Sequence, residues 1–305
     1  MNAFERLKYR LLIGLTRKLR RKAPEVHRLF NAAGIYFLPT GYYNCVPTVD
    51  EIEQSFEYRD GGKPYLESGI FDGPRLRAYL EGLLPFAAEF SPPVAGDPER
   101  PAGYFWNNGM FFGADARAYH AIIRSARPRH ILEVGGGFST LIASAALGLN
   151  GTGEITCIEP YPRPFLSGLS RVQEVITKPV QEVPVAYFQE RLGDGDLLFI
   201  DSTHTVKTGS DCLYLYLQVL PKLERRILIH AHDIYLPSAQ PKEWQLKRHW
   251  FWTEQYLLLA FLLGNPHYQV CFGSHYHRLE NPGLLESFAG GKERMEGGSF
   301  WFQRV

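Results

Sequence analysis

The stretch Ile131-Leu132-Glu133-Val134-Gly135-Gly136-Gly137-Phe138-Ser139-Thr140 decides the fold. Its apolar first half predicts a buried strand, and the three glycines predict a sharp turn into a helix that Ser139 or Thr140 can cap. Glycine lets a ligand approach the backbone closely, in the crevice beyond the carboxyl end of a strand. The stretch therefore predicts a strand, a ligand-binding turn and a helix.

Strand and helix patterns alternate along the chain on both sides of this turn. His130–Val134, Ser139–Leu149 and Glu154–Ile158 read as a strand, a helix and a strand. Further strands are predicted at Val172–Ile176, Asp196–Ile200, Arg226–His230, Tyr268–Phe272 and Ser299–Gln303, and further helices at Asp211–Leu220 and Glu254–Leu263. This pattern predicts an α/β fold with a doubly wound, Rossmann-like sheet of seven strands.

The region before this alternation has a different character. Residues 34–104 are aromatic and rich in turns, with a helical pattern at Pro74–Phe90, which predicts a helix and loop cap over a pocket. We therefore expect an N-terminal extension over residues 1–103 and a catalytic domain over residues 104–305.

The first 22 residues are strongly basic. Phe4, Leu7, Leu11, Leu15 and Leu19 recur at helical spacing among eight Lys and Arg residues, which predicts a basic amphipathic helix. Such a helix can lie on an anionic membrane surface, or it can pack against its own domain or a second subunit of a homodimer. The segment lacks the features of a secretory signal peptide, and no apolar run reaches the roughly 20 residues that span a bilayer.

Composition limits the partners and the compartment. The 305 residues carry 33 Lys and Arg against 32 Asp and Glu, which gives no electrostatic reason to expect nucleic acid. The four cysteines are widely spaced and form no disulfide framework, so we expect a cytoplasmic protein, with membrane association through residues 1–22 as the alternative to a free one.

An acidic residue after the second strand narrows the choice of ligand. Glu159 follows the turn by 22 residues, where a carboxylate can accept hydrogen bonds from a ribose diol. A dinucleotide site normally has a third glycine, whereas Thr140 stands at that position. Glu133 is also poorly suited to a pyrophosphate, while a cationic sulfonium avoids the conflict.

At these residues the chain resembles the class I methyltransferases, whose first motif is an acidic residue followed by a glycine turn. The resemblance implies that S-adenosylmethionine is the cofactor. It also implies a set of cofactor-binding residues, in which Glu159 holds the ribose and Val180 and Gln181 stand near the adenine edge. The set is Glu133, Gly135, Gly136, Gly137, Ser139, Glu159, Val180, Gln181 and Asp201.

Two further strands end in polar side chains. Asp201 and His204 follow one strand, and His232-Asp233 follows the next, so both pairs are expected at the same crevice. Asp201, His232 and Asp233 can hold a divalent ion. This pattern resembles the metal-dependent small-molecule O-methyltransferases, which implies Mg²⁺, although a histidine ligand shifts the preference toward Mn²⁺, iron or zinc.

His204 and Asp201 are the predicted catalytic residues. An unperturbed histidine pKa of about 6.5 suits removal of a hydroxyl proton at neutral pH. The other interpretations are that His204 caps a helix, that Asp201 only contacts the cofactor, and that His230 is a core histidine. Aromatic residues between Tyr235 and Trp252 suggest either a lid over the acceptor or a surface that packs against the region 34–104.

The sequence thus predicts an S-adenosylmethionine-dependent O-methyltransferase. Its acceptor is a hydroxyl of a small molecule or a saccharide, and a divalent metal assists the reaction. One alternative is a metal-independent methyltransferase that uses His204 as its base. The alternative of another class is a non-catalytic cofactor-binding or membrane-docked partner protein.

Overall fold

The computed structural model describes residues 3–19, 24–36, 41–59, 61–99 and 102–305. The chain forms two compact units, residues 1–55 and residues 56–305. Residues 56–103 therefore belong to the compact unit that contains the sheet, and the functional division predicted at residue 103 stays a prediction. Among the described helices, none is long and apolar enough to cross a bilayer.

The first unit contains three helices. They are α1 (Ala3–Leu19), α2 (Pro24–Ala32) and α3 (Val49–Gln54). Helix α3 begins with a capping box, in which the Thr48 hydroxyl accepts from the Glu51 backbone N–H and the Glu51 carboxylate accepts from the Thr48 N–H. This reciprocal pair satisfies backbone donors that a helix leaves free at its start. Residues 1, 2 and 20–22 of the predicted basic helix lie outside the described residues.

The second unit is built on a seven-stranded sheet, as the sequence predicted. The strands are β1 (His130–Val134), β2 (Glu154–Ile158), β3 (Val172–Ile176), β4 (Leu197–Ile200), β5 (Leu228–Ala231), β6 (Tyr268–Gly273) and β7 (Phe300–Arg304). Their order in the sheet is β3-β2-β1-β4-β5-β7-β6, and only β7 runs antiparallel to its neighbours. The predicted strands are correct to within two residues.

Helices cover the sheet on both faces. They are α4 (Gly73–Ala88), α5 (Gly113–Ala126), α6 (Phe138–Asn150), α7 (Val185–Arg191), α8 (Asp211–Tyr214), α9 (Glu254–Leu262), α10 (Ser274–Glu280) and α11 (Pro282–Ala289). Alternate residues of β4 enter two separate cores, with Phe199 packing on one face and Leu198 on the other. The predicted doubly wound architecture is confirmed.

One predicted helix is irregular. The pattern over Asp211–Leu220 predicted one helix, but α8 ends at Tyr214, a wider turn covers Leu215–Val219 and a tighter turn covers Leu220–Lys222. Pro221 lies in the last turn, and proline has no backbone N–H for a regular helical hydrogen bond. The chain therefore leaves regular α-helical geometry before that residue.

The register of three parallel strands determines where the site lies. Val134 pairs with Ile200, and Ile200 pairs with Ala231, so β1, β4 and β5 end at the same height. Parallel strands deliver the residues after their carboxyl ends to one edge of the sheet. The residues delivered there are Gly135, Asp201 and His232.

Phe199 tests the packing that supports this edge. Its ring is fully buried and lies 4.6 Å from that of Tyr119 and 4.2 Å from that of His230. Phe199→Ala should lower the free energy of unfolding by about 3–5 kcal/mol, because it leaves a cavity. Leu149→Ala, at an exposed position of α6, should change it by less than about 0.5 kcal/mol. Urea denaturation measures both, and equal effects would contradict this account.

Candidate active site

The first glycine of the turn is required by its surroundings. Gly135 has φ of +87°, a conformation that side chains disfavour. A Cβ at this position would lie 2.1 Å from the carbonyl oxygen of Asp201. The Gly135 N–H donates to the Ile158 carbonyl at 3.0 Å. The turn is thus pressed against the end of β4 and tied to β2.

Glu133 lies beneath the turn. Its buried carboxyl accepts hydrogen bonds from the Tyr119 hydroxyl at 2.7 Å and the Thr140 hydroxyl at 2.5 Å. The Thr140 oxygen in turn accepts from the Gly137 N–H at 2.9 Å. Burial raises the pKa of Glu133 to about 7, despite these hydrogen bonds. Glu133 therefore joins β1 to α6, and, unlike most of the predicted cofactor-binding residues, it does not line the cavity above the turn.

A cavity of about 290 Å³ lies above the turn. Six of the predicted cofactor residues line it: Gly135, Gly136, Gly137, Ser139, Glu159 and Asp201. Five residues that were not predicted from the sequence also line it: Met110, Phe111, Phe138, Tyr161 and Arg163. Glu159 is half-buried, and its Oε1 accepts from the Tyr161 N–H at 2.7 Å. Two predicted adenine contacts lie elsewhere: Val180 is in the core, and the Gln181 amide donates to the Gly209 carbonyl.

Four side chains form a closed ring of charges at the tips of β4 and β5. His204 Nε2 lies 3.3 Å from Asp201 Oδ1 and 3.6 Å from Asp233 Oδ2. His232 Nδ1 lies 3.6 Å from each of these two oxygens. We call this set the charge ring. The sequence predicted all four members and their convergence.

The backbone at the charge ring is strained. His204 and Asp233 have φ of +57° and +54°. Residues other than glycine rarely adopt these values, which cost about 1–3 kcal/mol each and concentrate at functional sites.

Glu254 contacts His204 on the side of the imidazole that faces away from the charge ring. Its Oε2 lies 2.8 Å from His204 Nδ1 and accepts from the Ser202 hydroxyl, while its Oε1 accepts from the Tyr216 hydroxyl. The N–H groups of Thr253 and Glu254 donate to the His204 carbonyl at 2.8 and 3.1 Å. Sequence reasoning missed this partner, although an acid at the start of the apolar helix α9 was a signal for it.

Asp115 contacts His232 on the corresponding outer side of that imidazole. Asp115 Oδ2 lies 3.3 Å from His232 Nε2, and the carboxylate accepts from the N–H groups of Gly298 and Ser299 and from the Ser274 hydroxyl. A Cβ on Gly297 would come within 2.1 Å of Asp115 Oδ1. The glycine pair before β7 was the sequence signal for this missed residue.

The carboxylates change the protonation of the two ring histidines. Burial works to lower the pKa of His204, but hydrogen bonds to Asp201 and Glu254 outweigh it and raise that pKa to about 10. Asp233 and Asp201 likewise hold the pKa of His232 well above its usual range, against the effect of burial. Both imidazoles are therefore positively charged at neutral pH. The sequence analysis had instead assigned His204 the unperturbed histidine pKa of about 6.5.

Burial and neighbouring charges also shift the pKa values of the other titrating groups at these strands. Burial would raise the pKa of Asp201, but His232 and His204 hold it below its usual range, whereas burial dominates at Asp233 and raises its pKa. His230 is fully buried, its Nε2 lies 2.9 Å from the Ser299 hydroxyl, and burial lowers its pKa. His230 is the core histidine that the sequence indicated.

The described residues do not form a metal site as they stand. In this part of the chain no group of three or more His, Cys, Asp or Glu side chains is arranged to hold an ion. The predicted ligands Asp201, His232 and Asp233 are engaged in ion pairs within the charge ring. A protonated imidazole nitrogen has no lone pair to offer a metal.

A second cavity, of about 690 Å³, opens on the charge ring. Trp244, Trp250 and Trp252 line it together with polar side chains. Arg248, Trp250, Trp252 and His204 form a column of successive contacts at 4.8, 4.8 and 4.4 Å, in which the two tryptophan rings are stacked and the imidazole is tilted by 44°. The two cavities share Met110 and Asp201. A group bound above the glycine turn and a group bound beside the tryptophans would thus meet at Asp201.

Comparison with known proteins gives a family match over the middle of the chain. Residues 132–234 match a family described as "Methyltransferase domain". An uncharacterized protein of Archaeoglobus fulgidus is 33% identical over 165 residues, which cover 51% of this chain and 74% of that protein. The matched region runs from β1 past β5, so it includes the glycine turn, Glu159 and both strand tips.

Solved structures are also similar at low identity. The O-methyltransferase TomG from Streptomyces achromogenes, involved in tomaymycin synthesis and solved with S-adenosylmethionine, is 16% identical over 77% of this chain and 91% of its own, with a TM-score of 0.36. An O-methyltransferase from Bacillus cereus is 16% identical over 75% and 90%, with a TM-score of 0.36. These likenesses are too loose to indicate an acceptor.

The chain contains a class I S-adenosylmethionine-dependent methyltransferase domain. It is accordingly an enzyme whose cofactor is S-adenosylmethionine. A methyltransferase domain favours this cofactor over the dinucleotide that the same glycine turn could also bind.

The glycine turn gives a matched pair of variants. Gly135→Ala should lower the free energy of unfolding by about 1–3 kcal/mol from its backbone conformation alone, and by more from the clash with Asp201. Gly137→Ala should be tolerated, because a Cβ there meets no atom within 4 Å and φ is extended. Thermal and urea unfolding without cofactor measure both variants. Equal destabilisation would show that the turn is not held as described.

Proposed function

We propose that this enzyme transfers the methyl group of S-adenosylmethionine to a hydroxyl of a small molecule or saccharide, with His204 as the base. One observation carries the proposal. The cavity above the glycine turn and the tryptophan-lined cavity meet at Asp201, beside the ring nitrogen of His204 that faces away from Glu254. A methyl donor in the first cavity and a hydroxyl in the second would lie next to a nitrogen that accepts a proton once His204 is neutral.

The proposed cofactor contacts follow the first cavity. The backbone of Gly135, Gly136 and Gly137 lets the cofactor approach, and the Glu159 carboxylate is placed to accept from the ribose hydroxyls. Arg163 and Tyr161 supply further polar groups at the same rim. Glu133 acts on the cofactor only through the turn that it holds.

The proposed reaction is an in-line displacement. The acceptor O–H bond breaks as its proton passes to neutral His204 Nε2, the oxygen forms a bond to the methyl carbon, and the carbon–sulfur bond breaks to leave a neutral thioether. Asp201 and Asp233 stabilise the imidazolium that forms, because they lie within 3.6 Å of it. Much of the remaining rate enhancement comes from holding oxygen and methyl in near-attack geometry.

His204 gives the direct test of this proposal. His204→Gln should lower kcat/KM by about 10²–10⁴-fold, the usual contribution of a general base. In the wild type, kcat/KM for an alcohol acceptor should rise with pH and level off near the His204 pKa of about 10, since only neutral imidazole accepts the proton. Formation of S-adenosylhomocysteine with a panel of alcohols and saccharides measures both. A plateau from pH 7 upward, or an active glutamine variant, would overturn the role of His204.

Glu254→Gln is the matched control for the pH profile. It preserves the size of the side chain and removes a negative charge that raises the His204 pKa. The rise in kcat/KM should therefore shift to lower pH, while cofactor affinity measured by calorimetry should stay the same because Glu254 does not line the cofactor cavity. An unshifted profile would show that another group limits the rate.

The divalent metal predicted from the sequence is a second candidate for activating the hydroxyl. One observation favours it: His204 and His232 each have their outer nitrogen beside a carboxylate, Glu254 and Asp115, as metal-binding histidines commonly do. It requires both imidazoles to lose their protons and Asp201, His232 and Asp233 to leave their ion pairs. Mg²⁺ or Mn²⁺ would then lower the pKa of the hydroxyl.

A chelator separates the two candidates. Under the leading proposal, extensive dialysis against EDTA should leave turnover within about twofold of the untreated enzyme, because no proton transfer in it depends on an ion. A loss that Mg²⁺ or Mn²⁺ restores would favour the metal-assisted reaction. The control is Asp201→Asn, which should impair turnover under both candidates.

A further inference from the structure

We propose that α1 docks on a membrane surface that carries anionic lipids. The described side chains of this helix are exposed along its length, including Leu7 at 56%, Leu11 at 68% and Leu15 at 55%. Residues four apart lie on one face of a helix, so these leucines form a continuous apolar stripe. A stripe of this kind is stable when it is covered by apolar surface.

The charges of α1 indicate what covers it. Arg6, Arg10 and Arg17 lie together on a side of the helix away from the leucine stripe, given the 100° turn per residue. Lys8 lies beside the stripe and Lys18 lies in line with it one turn beyond Leu15, where a long side chain can rest its methylenes on apolar surface and extend its charge outward. A helix with these features lies in the plane of a bilayer, with its apolar side among the acyl chains and its basic side at the headgroups.

The charge distribution of the whole chain favours a lipid surface with negative charge. The first 22 residues contain eight Lys and Arg and one acidic residue, whereas the rest of the chain contains 25 Lys and Arg against 31 Asp and Glu. Clusters of basic residues on an amphipathic helix bind anionic headgroups, and the acidic remainder would be repelled by them. Attraction to the membrane is therefore confined to this end of the chain.

Other exposed side chains of the same unit fit this environment. Twelve of the 22 exposed large hydrophobic side chains among the described residues lie within residues 1–55. Tyr36, Tyr42 and Tyr43 are among them, and Leu29 of α2 is 73% exposed. Tyrosine is enriched where an apolar ring meets a wet interface. The unit thus exposes more apolar surface than the rest of the chain in proportion to its length.

Vesicle binding tests the proposal on the 305-residue chain. Wild-type protein should co-sediment with vesicles of phosphatidylcholine and phosphatidylglycerol, at least tenfold more than with phosphatidylcholine alone, and 0.5 M salt should weaken binding because charges are screened. Leu11→Asp should reduce binding at least tenfold. Leu149→Asp, which places the same charge at an exposed leucine of α6, should bind like the wild type.

Two further measurements keep the outcomes distinct. A thermal shift with S-adenosylmethionine should be the same for both variants, which shows that they fold. Sedimentation velocity should give the same mass for wild type and Leu11→Asp. A smaller mass for Leu11→Asp would show that the stripe contacts a second copy of the chain, and would overturn the proposal. Equal binding to neutral vesicles, or no binding to anionic ones, would overturn it as well.

Discussion

The arrangement on which the rest of the site depends is two buried imidazoles enclosed by four carboxylates. Burying a charge is costly unless it is paired, so His204 and His232 can stay charged only because Asp201 and Asp233 face one side of each and Glu254 and Asp115 face the other. Helices α5 and α9 supply the outer carboxylates, and the glycine pair before β7 leaves room for that of Asp115.

The fold could be predicted from the sequence because its signals are local. Most strands contain a short apolar run, such as Leu197–Ile200 in β4, and the glycine turn lies next to the strand and helix that it joins. The inner part of the site was predictable for the same reason, since parallel strands bring Asp201, His204 and His232 to one edge. The register of the strands then sets their heights.

The rest of the site could not be predicted, because it depends on contacts between residues distant in sequence. Asp115 reaches His232 from a helix before β1, and Glu254 reaches His204 across 50 residues. The pKa expected for His204 was wrong for this reason: an isolated imidazole value ignores two carboxylates that only the fold supplies. Glu133 shows the same limit, since its sequence position does not reveal that Tyr119 and Thr140 occupy its oxygens.

The column of aromatic rings beside His204 gives the enzyme a built-in optical probe. Trp252 lies 4.4 Å from the imidazole, and Trp250 stacks on Trp252 at 4.8 Å. A charged imidazolium draws electron density from an excited indole and quenches its emission, whereas neutral imidazole does so less. Intrinsic tryptophan fluorescence should therefore brighten as His204 loses its proton, and it can follow the protonation of this residue in the resting enzyme without any acceptor present.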